Sequence, residues 1–584
     1  MDDKIKFTIN RKKVEGKKNQ TVFEVARENE IDIPSLCYHP DLDIKASCRM
    51  CLIEIRGQEG LHTSCSTEIV EGMVVTTESK NINHARKVNL ELIFAQHSEE
   101  CNDCIWSFNC QLLKLAKKYN VEINRFIDRK TNFPVYEFGP ALIFDSSKCI
   151  DCGNCIDACK QQSVNFLEKQ EKDHMFRVVP TEDPKRDCTY CGQCIVHCPV
   201  GAFEAVGEFK DVEKPLQEKD KTVIFQFAPS IRTSIGEEFN LPYGEIVTDK
   251  LVAGIRKLGV DKVFDVSVGA DFTTTEEAKE LMEKLEEGSG PCLSSCCPAW
   301  VKFVEFNYPE FIPNLATTRS PQSIMGGLIK TYYAQKEKLD SKKIVVVSIM
   351  PCVAKKYEIR RPELEIDGIK PVDYILTTRE LAYLFHKNKI DLKNINPEKA
   401  DDPMGIPSGG GVIYGASGGV AESAIRSAYA KATKQKLPKI EFEELRGMEG
   451  IKKANINMGD KEVKMVVASG LGNARKILEE LKKDPKKYDA VEIMACPGGC
   501  IGGGGQPVPS NSDIRKKRAE SLYKLDEKSE IRVAHENPIV KKVYKDYLTN
   551  DKIIHKICHT YYSAKKREVK ISPQINKIEK HGKN

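Results

Sequence analysis

Apolar and polar residues alternate over short distances at the start of the chain. KIKFTI (4–9) and MCLIEI (50–55) read as half-buried strands, and TVFEVARENE between them has helical spacing with Thr21 placed to cap it. From Thr222 the pattern changes to longer units. Strands are predicted at KTVIFQF, KVFDVSV, KKIVVVSIM, EVKMVVAS and YDAVEIM, and helices at TTEEAKELMEKLEE and ARKILEELKK. Near-continuous apolar strands alternating with helices predict an α/β region with parallel sheets covered on both faces. Ligand sites in such sheets gather at the carboxyl ends of strands. Residues 515–567 read as helical and basic.

A chain of 584 residues is too long for one core, and its 40% apolar and 30% charged content is that of ordinary globular domains. The net charge of +5 is uneven, because residues 551–584 hold nine Lys/Arg against three Asp/Glu. A solvated terminus is the simpler reading of that tail, and no nucleic-acid partner is expected. The longest apolar run, Ile344 to Met350, is too short to span a bilayer, and MDDKIKFTIN has no basic segment followed by an apolar one. The expectation is a cytoplasmic protein with no membrane partner.

The 22 cysteines change the picture most. A reducing compartment excludes disulfides as their general purpose, so metal is the better account. Cys37, Cys48, Cys51 and Cys65 form a C-x10-C-x2-C-x13-C array. It resembles the 2Fe-2S domain of plant-type ferredoxins with a stretched first interval. A structural zinc site is the alternative, although zinc ligands usually come as two close pairs. His97, Cys101, Cys104 and Cys110 follow; three close thiolates need a fourth ligand, which makes His97 more than a surface histidine. This run resembles the His/Cys-ligated 4Fe-4S site of complex I and hydrogenases. Two copies of C-x2-C-x2-C-x3-C come next: Cys149, Cys152, Cys155, Cys159 and Cys188, Cys191, Cys194, Cys198. In this bacterial ferredoxin signature the fourth cysteine crosses to the other cluster, so Cys159 goes with the second set and Cys198 with the first. These four accessory clusters only move electrons.

Three later segments carry the chemistry: SSCCPAW (294–300), MPCVAKKYE (350–358) and MACPGGCIGGGGQP (494–507), accompanied by APSIR (228–232) and TRSPQ (318–322). They resemble the signature motifs of FeFe-hydrogenases, with Ser294 where a threonine is usual. Cys297, Cys352, Cys496 and Cys500 come from three distant segments, and four thiolates suit one 4Fe-4S cubane. The resemblance implies an H-cluster, in which Cys500 also bridges to a di-iron subcluster carrying carbon monoxide, cyanide and dithiolate ligands installed by maturation proteins. It implies pocket roles for Ala228, Pro229, Ser230, Gln322, Met350, Lys355 and Met494, with Lys355 the cyanide partner. It also implies two α/β lobes with twisted, mostly parallel sheets, preceded by a β-grasp 2Fe-2S domain, a small His/Cys 4Fe-4S domain and a two-cluster ferredoxin-like domain. The corresponding ranges are 1–80, 81–130, 131–212 and 213–514, with a small-subunit-like segment and basic tail at 515–584.

Splitting or forming dihydrogen requires a proton carrier beside the metal. A thiol of ordinary pKa ~8.5 is suited to this near neutral pH, whereas an alcohol is too weak an acid. Cys296 resembles the family's relay cysteine, with Glu277, Glu280 and Glu358 as acidic stations, although most helical glutamates are merely solvated. Where the family commonly has a serine after Asn-Leu, this chain has Ala316; Thr317 or a water would have to replace it. Cys292, where the family more often has an apolar residue, reads as a packing thiol or as one that tunes the relay loop or its oxygen response, and Cys558 reads as a buried free thiol. The glycines of 502–505 are expected to lie close against the cofactor. Gly470-x-Gly472 lacks the third glycine and the later acid of a dinucleotide turn, so electrons are expected from ferredoxin or a similar protein carrier. Three roles compete with a stand-alone hydrogenase. A wiring subunit would lack SSCCPAW, and a hydrogen sensor would lose the relay cysteine. The hydrogenase subunit of an NADH- and ferredoxin-coupled bifurcating complex would keep every motif.

Overall fold

The computed structural model describes residues 4–97, 104–123, 125–127, 133–172, 175–435, 441–459 and 461–570, and the backbone at 574–575. At the N-terminus five strands run in the order Lys12–Lys17, Lys4–Ile9, Val74–Thr76, Leu52–Ile55, His62–Thr63, with helix Val22–Glu28 against them. Thr21 caps that helix as expected, and Glu24 completes a reciprocal capping box. A second unit pairs Pro134–Phe138, Leu142–Asp145 and Phe203–Ala205 in an antiparallel sheet beside the ribbon Leu167–Lys172/Met175–Pro180.

The α/β region contains two four-stranded sheets. One has the order Lys262–Asp265, Thr222–Phe227, Ile344–Met350, Tyr374–Thr377 and is parallel throughout. The other has the order Cys292–Leu293, Ala490–Met494, Lys461–Ser469, Ile451–Met458, and only the edge hairpin 451–469 is antiparallel. Cys297, Cys352 and Cys496 all lie just past carboxyl ends of these strands.

One expected strand is shorter than its apolar run suggested. KVFDVSV is strand only to Asp265, whose carboxylate accepts from the Ser267 amide and starts helix Val266–Glu287 there. The helix expected at residues 274–287 therefore begins eight residues earlier; residues 266–278 are buried on all sides, so no amphipathic stripe announced its first turns. The same burial overturns the solvated reading of its acids: Glu276, Glu277 and Glu280 are 3%, 6% and 9% exposed.

The glycines also serve a different purpose from the expected one. A Cβ on Gly504 would lie 2.6 Å from the Gly192 Cα, and one on Gly472 would lie 2.3 Å from the Gln161 carbonyl oxygen. Both glycines therefore let the ferredoxin-like unit approach the catalytic region backbone to backbone. None of Gly502–Gly505 lines the central cavity.

Helices Ser512–Lys528, Pro538–Asp546 and Asp551–Cys558 wrap the α/β region, and Cys558 is fully buried. The first of them is tied down by charge. Arg426 reaches Glu422 at 2.6 Å and both oxygens of Asp526 at 2.8 Å, with all three side chains sealed from solvent. No helix among the described residues is long and apolar enough to cross a membrane. Arg426→Met should leave Glu422 and Asp526 short of their shared cation and cost about 3–5 kcal/mol, read as a lowered urea midpoint. An unchanged midpoint would show that Arg446 and Arg532, which also reach these acids, suffice.

Candidate active site

Every accessory ligand set whose residues are described comes together. Cys51 Sγ is 3.3 Å from Cys65 Sγ, and the Leu36 and Cys48 amides point at Cys48 and Cys37 sulfurs at 3.4 and 3.5 Å. Backbone amides aimed at sulfur suit thiolates that carry charge onto iron. His97 presents Nδ1 to the Lys148 carbonyl at 2.9 Å, and it shares a small cavity with Cys104 and Cys110. Cys101 lies outside the described residues. The two ferredoxin-type sets lie side by side: Cys155 is pushed up by burial and then by Cys149, Cys152, Cys198 and Cys194, and Cys188 by burial, Cys191 and Cys159.

Beyond them lies a cavity of about 70 Å³. Cys297, Cys352 and Cys500 line it, and Cys496 borders the same sulfur cluster: its thiol is raised by burial and by Cys352, Cys297, Cys191 and Cys500. Ala228, Pro229, Gln322, Met350, Lys355 and Met494 also line the cavity, as does Cys296. Ser230 stands just behind the wall.

The lining fits a metal cofactor with polar diatomic ligands. Burial disfavours charge on all four thiols, so they need a cation to become thiolates. Ser230 Oγ and Gln322 Oε1 are buried with no hydrogen-bond partner, which a ligand could supply. Lys355 is the one cation on the wall. Burial opposes its charge, but Glu358 outweighs that and holds its pKa above the ordinary lysine value. Its Nζ lies 2.9 Å from both Glu358 oxygens and 3.1 Å from the Cys296 carbonyl. Glu358 also accepts from Gln322 at 2.5 Å and Ser320 at 3.0 Å. This carboxylate thus orients Lys355 and Gln322, and among the described residues no hydrogen bond joins it to Glu277 or Glu280.

Cys296 is held as a thiol by burial and by the charge of nearby Glu277. Glu277 faces a second cavity of about 40 Å³ that Cys292, Ser294, Ala316 and Glu492 also line. The Thr317 hydroxyl is turned the other way, to Glu280 at 3.1 Å and His559 at 2.8 Å. Sequence reasoning missed Tyr414, on the cavity wall with its hydroxyl 2.8 Å from Thr274 Oγ1, and it missed Thr318 and His559. The glycine-rich run around Tyr414 was the only signal for it.

Electrons have a direct approach: the Cys191 carbonyl oxygen is 3.7 Å from Cys496 Sγ, so one ferredoxin-type set abuts the catalytic thiols.

Comparison with known proteins agrees with this geometry. Residues 221–504 match the family described as iron only hydrogenase large subunit, C-terminal domain, and 512–565 match iron hydrogenase small subunit. Residues 2–80 match a 2Fe-2S iron-sulfur cluster binding domain, 86–125 the NADH-ubiquinone oxidoreductase-G iron-sulfur binding region, and 148–202 a 4Fe-4S dicluster domain. The chain is 38% identical to the NADP-reducing hydrogenase subunit HndD of Solidesulfovibrio fructosivorans, over 96% of this chain and 99% of that one. It is also 38% identical to iron hydrogenase 1 of Clostridium pasteurianum, over 93% and 97%. An apo FeFe-hydrogenase structure from Chlamydomonas reinhardtii superposes with a TM-score of 0.56 at 36% identity, covering 62% of this chain and 99% of that one. With a sulfur-lined cavity, full-length similarity to two hydrogenases and matches to accessory cluster domains in one polypeptide, the chain belongs to the FeFe-hydrogenase family.

Proposed function

We propose that this hydrogenase interconverts protons and dihydrogen in both directions, taking electrons from ferredoxin or a similar carrier in the cytoplasm. The observation that carries this reading is the cavity itself, where four thiols from three segments, Lys355 and Cys296 meet. The bound H-cluster supplies the metal centre at which dihydrogen is made or split. The two four-stranded sheets are best understood as the cores of two lobes closing on it. The units 1–80, 81–130 and 131–212 form the wire, 213–514 the catalytic domain, and 515–584 a fused small-subunit segment. Maturation proteins are the expected source of the di-iron part.

The chain's own task is then to move protons. Cys296, kept protonated by burial and Glu277, gives or receives the proton at the cavity. Glu277 is pushed up to about 8 by burial and by the charges of Glu280 and Glu492, against a hydrogen bond from Tyr414. A carboxyl titrating near neutrality is matched to taking up and releasing protons. Its Oε1 is buried without a partner. The cavity beside it exceeds the roughly 10–15 Å³ one water needs, and Ser294 and Cys292 offer polar neighbours. This favours water over Thr317 in place of the family's serine. Glu280, bonded to the Thr317 amide at 2.7 Å and Thr318 Oγ1 at 2.5 Å, is the next station.

A second reading, a subunit of a larger nicotinamide-coupled complex, is favoured by the full-length similarity to the NADP-reducing relative. Flavoprotein subunits that travel with the native protein through purification would establish it.

The main test is Cys296→Ser in matured protein. It should retain about 20 iron atoms per chain and the carbon monoxide and cyanide infrared bands, yet lose at least about 100-fold in turnover. Normal evolution by this variant would remove Cys296 from the path. For Glu277, an infrared carboxylic-acid band should be present below pH 8 and fade as pH rises through its raised pKa of about 8. Absence of any change in that band on Glu277→Gln would contradict the assignment. With a fast electron donor, Thr317→Val should keep most activity and Ala316→Ser should leave it level or raise it. Loss in Thr317→Val that Ala316→Ser rescues would instead make Thr317 the carrier.

A further inference from the structure

Helix Asp551–Cys558 ends at His559, where the fused C-terminal segment crosses the acidic helix Val266–Glu287 at Glu276 and Glu280. Backbone contacts fix the crossing. Thr318 and His559 form an antiparallel bridge, the Arg319 amide donates to the Cys558 carbonyl at 2.6 Å, and the Thr560 amide donates to the Thr317 carbonyl at 2.8 Å. Arg319 Nε adds a bond to the His559 carbonyl at 2.7 Å. The imidazole is thereby held between two acids. Nδ1 lies 2.8 Å from Thr317 Oγ1 and 3.4 Å from Glu280 Oε1, while Nε2 lies 3.3 Å from Glu276 Oε2. The His559 and Glu280 side chains are each 11% exposed, so this is where the acid chain meets solvent.

An imidazole with a carboxylate at each nitrogen, at the edge of water, has the geometry of a relay, because either nitrogen binds and releases a proton. We propose that His559 is the outer station of the proton path, exchanging protons between solvent and Glu280, and that the C-terminal segment supplies it to the catalytic domain. This rests on the Cys296–Glu277–Glu280 reading above. In the direction of proton reduction the cationic ring gives its Nδ1 proton to Glu280 Oε1. An N–H bond breaks, an O–H bond forms, and imidazolium plus carboxylate become imidazole plus carboxylic acid. A hydronium ion then restores the cation and leaves as water. No electrons move in this step, and dihydrogen oxidation runs it backwards. His559 is thus a relay acting through Glu280 and does not touch the cofactor.

The surrounding groups favour a charged ring at neutral pH. Burial opposes the charge, but hydrogen bonds to Glu276 and Glu280 push His559 up to about 9. Burial would raise Glu280, yet bonds from His559, Thr318 and the Thr317 amide bring it below the usual carboxylate range. Glu276 is brought to about 2 against burial by His559, Lys279 and Tyr544. The other facing groups are Arg319, bound through the backbone carbonyl, the His555 ring at 4.9 Å, and Cys558, held as a thiol by burial. The ring therefore donates below about pH 9 and stops donating above it.

The experiment uses matured full-length enzyme with a fast electron donor, so that proton delivery limits the rate. His559→Gln should lower evolution at pH 7 at least about tenfold and abolish the alkaline limb near pH 9, with unchanged carbon monoxide and cyanide infrared bands. His559→Ala should regain activity saturably with added imidazole. A wild-type rate and alkaline limb in His559→Gln would overturn the proposal, as would loss in both variants that imidazole does not rescue. Glu277→Gln separates the two readings. If it is inactive while His559→Gln is normal, only the outer station falls; if it keeps full turnover, the inner path fails and the outer station with it.

Discussion

A thiolate taken out of water needs a cation beside it, and this protein buries its cysteines in convergent sets. At the catalytic cavity, burial raises Cys297, Cys352, Cys496 and Cys500 together, so they favour the neutral thiol until a cation is there to stabilise thiolates. The rest of the wall follows from that. One cation, Lys355, is admitted because Glu358 compensates it, and the remaining lining is mostly apolar or soft, Met350 and Met494 included.

The same economy of charge explains how the units are joined. One hydrophobic core runs from Leu36 and Cys48 through the ferredoxin-like strands to Trp300 and Ile493, so the electron-carrying units share an interior with the catalytic region. Where they meet, Gly192 sits on Gly504 and Gly472 sits on Gln161. Buried Lys302 bridges Asp187, next to the ligand Cys188, and Glu568 of the C-terminal segment, at 2.9 and 2.5 Å. A domain joint this close keeps Cys191 against Cys496, and a flexible linker would not. The C-terminal segment is therefore part of the machine's frame, clasping both the ferredoxin-like unit and the acidic helix.

Burial also turns ordinary acids into distinct instruments. Glu277 and Glu280 are neighbours on one helix, yet burial and like charges push the first up while donors from Thr317, Thr318 and His559 hold the second down. Adjacent groups with separated proton affinities give a path its stations. Glu358, which resembles a third station, accepts hydrogen bonds from Gln322 and Lys355.

Much of this was legible because cysteine spacing is local chemistry: the convergent cysteine arrays and the strands ending before Cys352 and Cys496 are written in short intervals. Short-range patterning also sufficed for the Thr21 cap and the parallel strands. It found the helix at residues 274–287 but failed at its first two turns, residues 266–273, where burial on every side leaves no polar face to mark the period, and at the glycines, whose partners Gly192 and Gln161 are hundreds of residues away. His559 had no signal, since its meaning comes from Glu276 and Glu280 more than 270 residues earlier. The sequence by itself determined which metals and which reaction class the chain could hold, because those depend on residue type and spacing. Only the tertiary structure decided which acids are buried, which are raised or lowered in pKa and which pair with a lysine, because those properties are set by neighbours that the fold brings from distant segments.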